Sequence, residues 1–559
     1  MELRSIAASI GALAFALGMA GPAQAGPTAR FDFVDYRATG ATPETPAGSY
    51  RNPVLPGFHP DPSIVRVGQD FYLVTSTFSF WPGLPIFHSR DLTNWRLVGH
   101  AIDRPGMIDT AGLGTNRGLF APAITHHDGR FWILNTCIDC RGNFVISAER
   151  PEGPWSDPTW LPFDGIDPSL FFDDDGKAWI VYNDAPPGPP QYDGHRALWL
   201  QQFDAEARRL VGERTLLVDG GVDFSTKPVW AEGPHIYKVD GWYYLMAAEG
   251  GTADQHSQTI YRSRSVTGPY VPGPVNPILT QRNMDPNRPD RVEATGHADL
   301  VQLEDGTWWG VFLATRPFAQ TPAGQSTLLG RETYLLPVRW VDGWPRFLDT
   351  GQALPPVNRK PNLPAGPAAD WSSWRDDFTG PLDPEWIQLR TPGAVQQWGV
   401  DGDGGALWVN AGPDAAGTLG HLAFTGRRLR HHAATVTTRV DFTPAAAGDH
   451  AGLLAFMDES HFLALGVEGT GQGRQVIARL RDAAEDSDRG EVVARAPLPA
   501  TGPVDLRLAL DGGSARLAFR QGAGAWQALG EAVNVEPLAS VHAGLFTGLV
   551  IGPYAVSGD

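Results

Sequence analysis

The chain has 559 residues, with 65 glycines, 48 prolines and 10% aromatic side chains. That is too long for one core, and the turn-rich composition argues for many short strands. The formal net charge of -18 comes without a basic stripe, which argues against a nucleic-acid or other polyanionic partner and is read most simply as a solubility feature.

In chain order, the N-terminus reads as a targeting segment. Arg4 precedes an apolar run from Ile6 to Ala20, and Ala23-Gln24-Ala25 fits the small-x-small cleavage rule. Residues 1–25 are therefore expected to be a signal peptide, and the mature protein to be secreted, periplasmic or extracellular. No later segment holds 18 consecutive apolar residues, so no membrane span is expected after signal removal. Residues 26–50, rich in Thr, Pro and Ala, read as an extended or disordered lead-in.

From residue 51 one phrase recurs. Asp61-Pro62-Ser63 returns as Asp167-Pro168-Ser169. Ala121-Pro122-Ala123, Glu232-Gly233-Pro234 and His297-Ala298-Asp299 are looser copies. Each opens a short apolar strand, and a turn and an aromatic or small residue follow 10 or 11 residues later. Most of those turns contain Asp-Gly, a strong hairpin signal. Successive copies start 46 to 65 residues apart, too far and too unevenly for a solenoid. Five units of about four strands fit a five-bladed β-propeller over residues 51–350, with the innermost strands lining a central channel. Residues 351–373 read as a Pro-rich linker. After Trp371 the pattern is short alternating strands, and residues 374–559 are expected to form a β-sandwich. The fold class is all-β.

Cys137-x-x-Cys140 lacks the second ligand pair of a zinc site. It is open between a local disulfide and two free thiols.

Three of the five equivalent positions are acids: Asp61, Asp167 and Glu232. A lone Asp-Pro-Ser at a strand start is more often a turn; three acids in one repeat register point to a site. Inverting glycoside hydrolysis needs one carboxylic acid to protonate the leaving oxygen and one carboxylate to activate water on the opposite face. A third carboxylate nearby would raise the acid's pKa by like-charge repulsion. His297, in the same register, is open between metal ligand, substrate contact and ordinary buried histidine. Phe58, Phe78, Phe80, Trp81 and Phe120 lie near the strand starts. They are candidates for stacking on sugar, although blade packing selects aromatics too. Trp95, Trp155, Trp308 and Trp309 are assigned to blade core.

Asn52-Pro53-Val54-Leu55-Pro56-Gly57-Phe58-His59-Pro60-Asp61-Pro62-Ser63 resembles the opening of glycoside hydrolase family 43 β-xylosidases. Asp167 to Phe171, Ala231 to Lys238, Ala248 to Thr252, Thr295 to Asp299 and Leu329 to Thr333 follow in family order. Leu545-Phe546-Thr547-Gly548 resembles the accessory sandwich of the same enzymes. The resemblance implies an inverting exo-hydrolase acting on pentosides, with Asp61 as general base, Glu232 as general acid and Asp167 orienting the site and tuning the acid. Arg331 would bind sugar hydroxyls. His297 would sit near the channel axis, where a structural calcium ion would be held, through water or directly. No cofactor is required for the chemistry itself. The substrates implied are β-1,4-xylo-oligosaccharides, with arabinose-substituted glycans and α-L-arabinofuranosidase activity as the first alternative. A non-catalytic carbohydrate-binding propeller is the alternative of another class. The chain departs from the resemblance at Phe120, where a Trp is usual, at Ser79-Phe80-Trp81, and in the apparent lack of a final aromatic strand.

Overall fold

The computed structural model describes residues 26–40, 44–321, 324–402 and 404–558. The expected signal peptide lies outside the described residues. Among those residues no helix is long and apolar enough to cross a membrane.

Five antiparallel sheets follow one another between Ser63 and Arg346, each with its inner strand first. Those inner strands are Ser63–Val67, Ala123–His127, Ile166–Phe172, Glu232–Val239 and Glu293–Gln302. The sheets form a five-bladed propeller. The Asp-Gly signals mark the first hairpin of their blades: both residues of Asp128-Gly129 and of Asp240-Gly241 are left-handed, as a two-residue turn of primed type requires. The ring closes around the lead-in. Ser49–Arg51 pairs with Val357–Arg359, and the Asn52 side-chain amide donates to the Leu335 carbonyl at 2.8 Å. Inner strands are tied to each other as well: Ser63 Oγ of blade 1 donates to Asp299 of blade 5 at 2.7 Å and accepts the Ile124 N–H of blade 2 at 3.0 Å.

Two sheets of nine and seven strands make the sandwich, with one apolar core between them. Two expectations are corrected here. The lead-in is not a free segment: Thr28–Ala38 is a strand of the nine-stranded sheet, where it pairs with Ala433–Asp441 and buries Ala29, Phe31, Val34 and Tyr36. Its apolar residues sit at nearly alternate positions, so it can close a half-buried sheet. The final strand is also present. Val550–Val556 pairs with His450–Asp458 and carries the buried Tyr554. Its Gly and Pro hid it from a propensity reading, whereas its place between other strands fixes it.

The proline-rich stretch 351–373 is pinned rather than free, since Gly366 N–H donates to Asp91 and Ala369 N–H to Asn94 of blade 1. Cys137 and Cys140 form a disulfide at the turn joining Arg130–Ile138 to Gly142–Ala148.

Candidate active site

The starts of the inner strands converge at one end of the channel. Asp61 and Asp167 have φ of +52° and His297 has +50°, all in the left-handed region. Asp and His tolerate that region better than most residues. The fourth blade differs. There the left-handed residue is Gly233, at φ +55°, and the prolines that follow, Pro62, Pro168 and Pro234, keep the register. Glu232 thus stands one residue ahead of Asp61 and Asp167, level with Ile166 of blade 3. Both strands carry an irregularity at this point, between Ile166 and Ser169 and between Glu232 and His235. A left-handed residue in a bulge breaks the two-residue alternation of a strand, so neighbouring side chains can face the same cavity. Gly233 is required by its surroundings: a Cβ there would lie 2.7 Å from His297 Nε2.

The cavity holds about 250 Å³ and is lined by Asp61, Asp167, Glu232, His297 and Arg331, with an aromatic wall. Asp61 is held from several sides. Ser76 Oγ donates to its Oδ2 at 2.5 Å, Arg331 Nη1 donates to its Oδ1 at 2.9 Å, and His297 Nδ1 lies 3.7 Å away. Arg331 Nη1 also donates to Thr252 Oγ1 at 3.2 Å.

Burial, and then the charge of Asp61, push the Glu232 carboxyl up to about 7; Arg331 and Arg196 pull the other way. Burial, then the charges of Glu232 and Asp61, push Asp167 well above the usual carboxylate range. Asp61 thus acts on both carboxyls, and Glu232 and Asp167 repel each other. Burial pushes His297 down to about 4, so its imidazole is neutral at working pH.

Of the aromatic candidates, Phe78 and Phe120 line the cavity. Phe58, Phe80 and Trp81 do not, and the expectation of sugar contacts is corrected for them. Phe58 is 0% exposed and lies with Phe80 in a core shared with Phe456, Phe462 and Val550 of the sandwich. Trp81 packs with Leu84, Ile102 and Leu119 between blades 1 and 2. The backbone of Phe80–Trp81 pairs with Gln388–Leu389, so this segment docks the second domain. In their place the cavity takes Trp230 of blade 4 and Phe546 of the sandwich. Phe546 stacks on Phe78 at 5.5 Å between ring centres and lies 5.1 Å from the Arg331 guanidinium carbon. The loop around it is clamped. Asn116 donates to the Ala543 carbonyl at 2.8 Å, and Leu549 N–H donates to the Leu328 carbonyl at 2.8 Å. Trp230, Thr252, Ser76 and Phe546 had no assigned role in the sequence. The family blocks held Thr252 and Phe546, but nothing local marked them as facing the site.

The side chains around His297 do not by themselves form a calcium cage, so an ion held there would take most of its ligands from water. Calcium takes six to eight oxygen ligands. Here His297 has a nitrogen, His256 spends its Nδ1–H on the Ala294 carbonyl at 2.9 Å, and Asp61 is shared with the Arg331 cation. Among the described residues no three His, Cys, Asp or Glu side chains converge as a metal site.

Residues 50–345 match the model of the glycosyl hydrolases family 43, and residues 375–559 match that of the β-xylosidase C-terminal concanavalin A-like domain. The chain is 38% identical over 515 residues to a non-reducing end α-L-arabinofuranosidase of Bacteroides ovatus, covering 91% of both chains. It is 37% identical to a xylosidase/arabinosidase of Humicola insolens, over 76% of this chain and 78% of that one. Among solved structures, a xylan β-1,4-xylosidase from Bacillus halodurans superposes with a TM-score of 0.80 at 32% identity, covering 91% of this chain and 97% of the other. A family 43 enzyme retrieved from a capybara gut metagenome superposes with a TM-score of 0.86 at 33% identity, covering 95% and 99%.

Proposed function

The chain belongs to glycosyl hydrolase family 43, and we propose that it is an inverting exo-β-1,4-xylosidase, taking one xylose at a time from the non-reducing end of xylo-oligosaccharides. One observation carries this reading: three buried carboxyls meet in a cavity of about 250 Å³. That is below the roughly 300–1,000 Å³ of drug-sized pockets and suits one sugar ring.

In this reading Glu232, protonated below about pH 7, gives its proton to the glycosidic oxygen as the C–O bond breaks. A water on the opposite face attacks the anomeric carbon and yields its proton to Asp61. The β-linkage therefore releases α-xylose, and each carboxyl ends in the other protonation state. Ser76 and Arg331 hold Asp61 in place, and Arg331 reaches the sugar hydroxyls beside Thr252. Asp167 orients the ring. Phe546 closes one side, which supports the exo mode and gives the sandwich a part in the site. No step uses a metal.

α-L-Arabinofuranosidase activity, alone or in addition, is the second reading, and the names of the Bacteroides and Humicola relatives favour it. Hydrolysis of aryl β-xyloside and aryl α-L-arabinofuranoside by the purified protein separates the two, and NMR of the first-formed anomer tests inversion. No turnover of either substrate would end the pentosidase reading. The leader-like residues 1–25 and the Cys137–Cys140 disulfide support export to an oxidising compartment. Fractionation of the producing cells checks it.

A further inference from the structure

A cavity that holds one ring leaves the rest of an oligosaccharide outside it. The acid stands beside the leaving oxygen, so the departing sugar passes the blade that carries Glu232. Trp230, two residues ahead of Glu232, lines the cavity there, and the Arg196 guanidinium stacks 4.1 Å above its ring. Among the described residues no carboxylate forms an ion pair with Arg196. Trp230 N–H donates to the Gly194 carbonyl at 2.9 Å, which ties the loop ending at Arg196 to the segment ending at Glu232.

Outward from Trp230 the surface turns apolar. Val229 is 38% exposed and Phe224 37%. Val229 Cγ1 lies 3.8 Å from where a side chain on Gly251, a cavity residue, would begin. Phe224 sets its edge against Tyr192 and His195, at 5.8 and 5.2 Å between ring centres. That pair is anchored: Tyr192 Oη donates to the Gly220 carbonyl at 3.1 Å, and His195 Nε2 pairs with Asp219 at 2.9 Å. An exposed aromatic and aliphatic ledge on a fixed base, next to an unpaired cation with several N–H donors, suits a sugar ring: apolar C–H faces on one side, hydroxyls on the other.

We propose that Arg196, with Val229 and Phe224, forms the subsite for the leaving sugar, binding the second pentose ring of a xylo-oligosaccharide. Continuity with the cavity argues for this occupant, and the inference rests on the hydrolase reading above. Arg196 donates to the hydroxyls of the leaving ring and touches no reacting atom.

The test compares Arg196→Ala, Arg196→Lys and Phe224→Ala with the unaltered protein on xylotriose and on aryl β-xyloside, whose leaving group lacks hydroxyls. Measuring at pH 5.5 keeps Glu232 protonated in all of them, so that loss of the Arg196 charge does not enter through the acid. Arg196→Ala is expected to lower kcat/KM on xylotriose about tenfold or more, the size of a lost charge-assisted hydrogen bond, and on the aryl substrate less than about threefold. Arg196→Lys should recover part of the loss, and Phe224→Ala, at an exposed position, should reduce the same substrate ratio by a smaller factor. Equal losses on both substrates, or none on xylotriose, would overturn the subsite while leaving the hydrolase reading intact. An unaltered protein that cleaves neither substrate would overturn the hydrolase reading itself.

Discussion

Blades 3 and 4 open their inner strands with the same backbone and different chemistry. In blade 3 the left-handed residue is Asp167, and the residue before it, Ile166, is an apolar part of the wall. In blade 4 the left-handed residue is Gly233, and the residue before it, Glu232, is the acid. The reason lies on the adjacent blade 5: His297 fills the space that a side chain on Gly233 would need. The strand start of blade 3 thus offers two adjacent positions to the cavity, and in blade 4 the neighbouring blade leaves room for a side chain at only one of them. Phe120 and Ala121 fill the same two positions in blade 2, and both line the cavity.

That comparison can be broken at its strongest point first. Glu232→Gln should lower kcat on xylobiose by about 10²- to 10⁴-fold, with a smaller loss on activated aryl substrates that need less proton donation. Asp61→Asn should be as damaging on both, because water activation is needed for either. Initial-rate kinetics of folded variants decide it, and full activity in both would end the assignment.

The pH profile separates the two blades. Activity should fall as pH rises through about 7, because Glu232 then loses the proton it must donate. Asp167→Asn should reduce kcat and move that alkaline limb to lower pH, because Asp167 and Glu232 repel each other across the cavity. A limb that stays in place in Asp167→Asn would remove the tuning role from blade 3 and leave it to the charge of Asp61.

Phe546→Ala tests the side closed by the sandwich. It should raise KM for xylobiose by about tenfold, the order expected for loss of an aromatic contact in a desolvated site. An unchanged KM would confine Phe546 to packing. Gly233→Ala should cost about 1–3 kcal/mol in denaturant unfolding, since a left-handed non-glycine residue would have to be accommodated against His297. A neutral result would mean that the strand start can relax. The smallest effect is expected from chelation: EDTA should change activity by less than about twofold, because the donors near His297 do not build a calcium cage. A large loss restored by calcium would contradict that.

Much of this was legible in the sequence. The repeated Asp-Pro-Ser phrase, the Asp-Gly hairpins and the three acids are local signals. Each records what a few consecutive residues must do: adopt a left-handed φ, turn a hairpin, or start a strand. The blade count and the identity of Asp61, Asp167 and Glu232 as a group follow from them. What local pattern does not encode is which surface of an aromatic residue will be covered. Phe58, Phe78 and Phe80 are close in sequence, chemically alike and all buried in the core shared with the sandwich, yet of the three only Phe78 also lines the cavity. Phe546 reaches the cavity from the far end of the chain, and the lead-in at 28–38 becomes a strand of a sheet built mostly after residue 373. Those outcomes depend on the docking of two domains, in which burial rewards any apolar surface that fits. Only the tertiary structure decides which surfaces meet; the sequence by itself had determined the backbone that carries the acids.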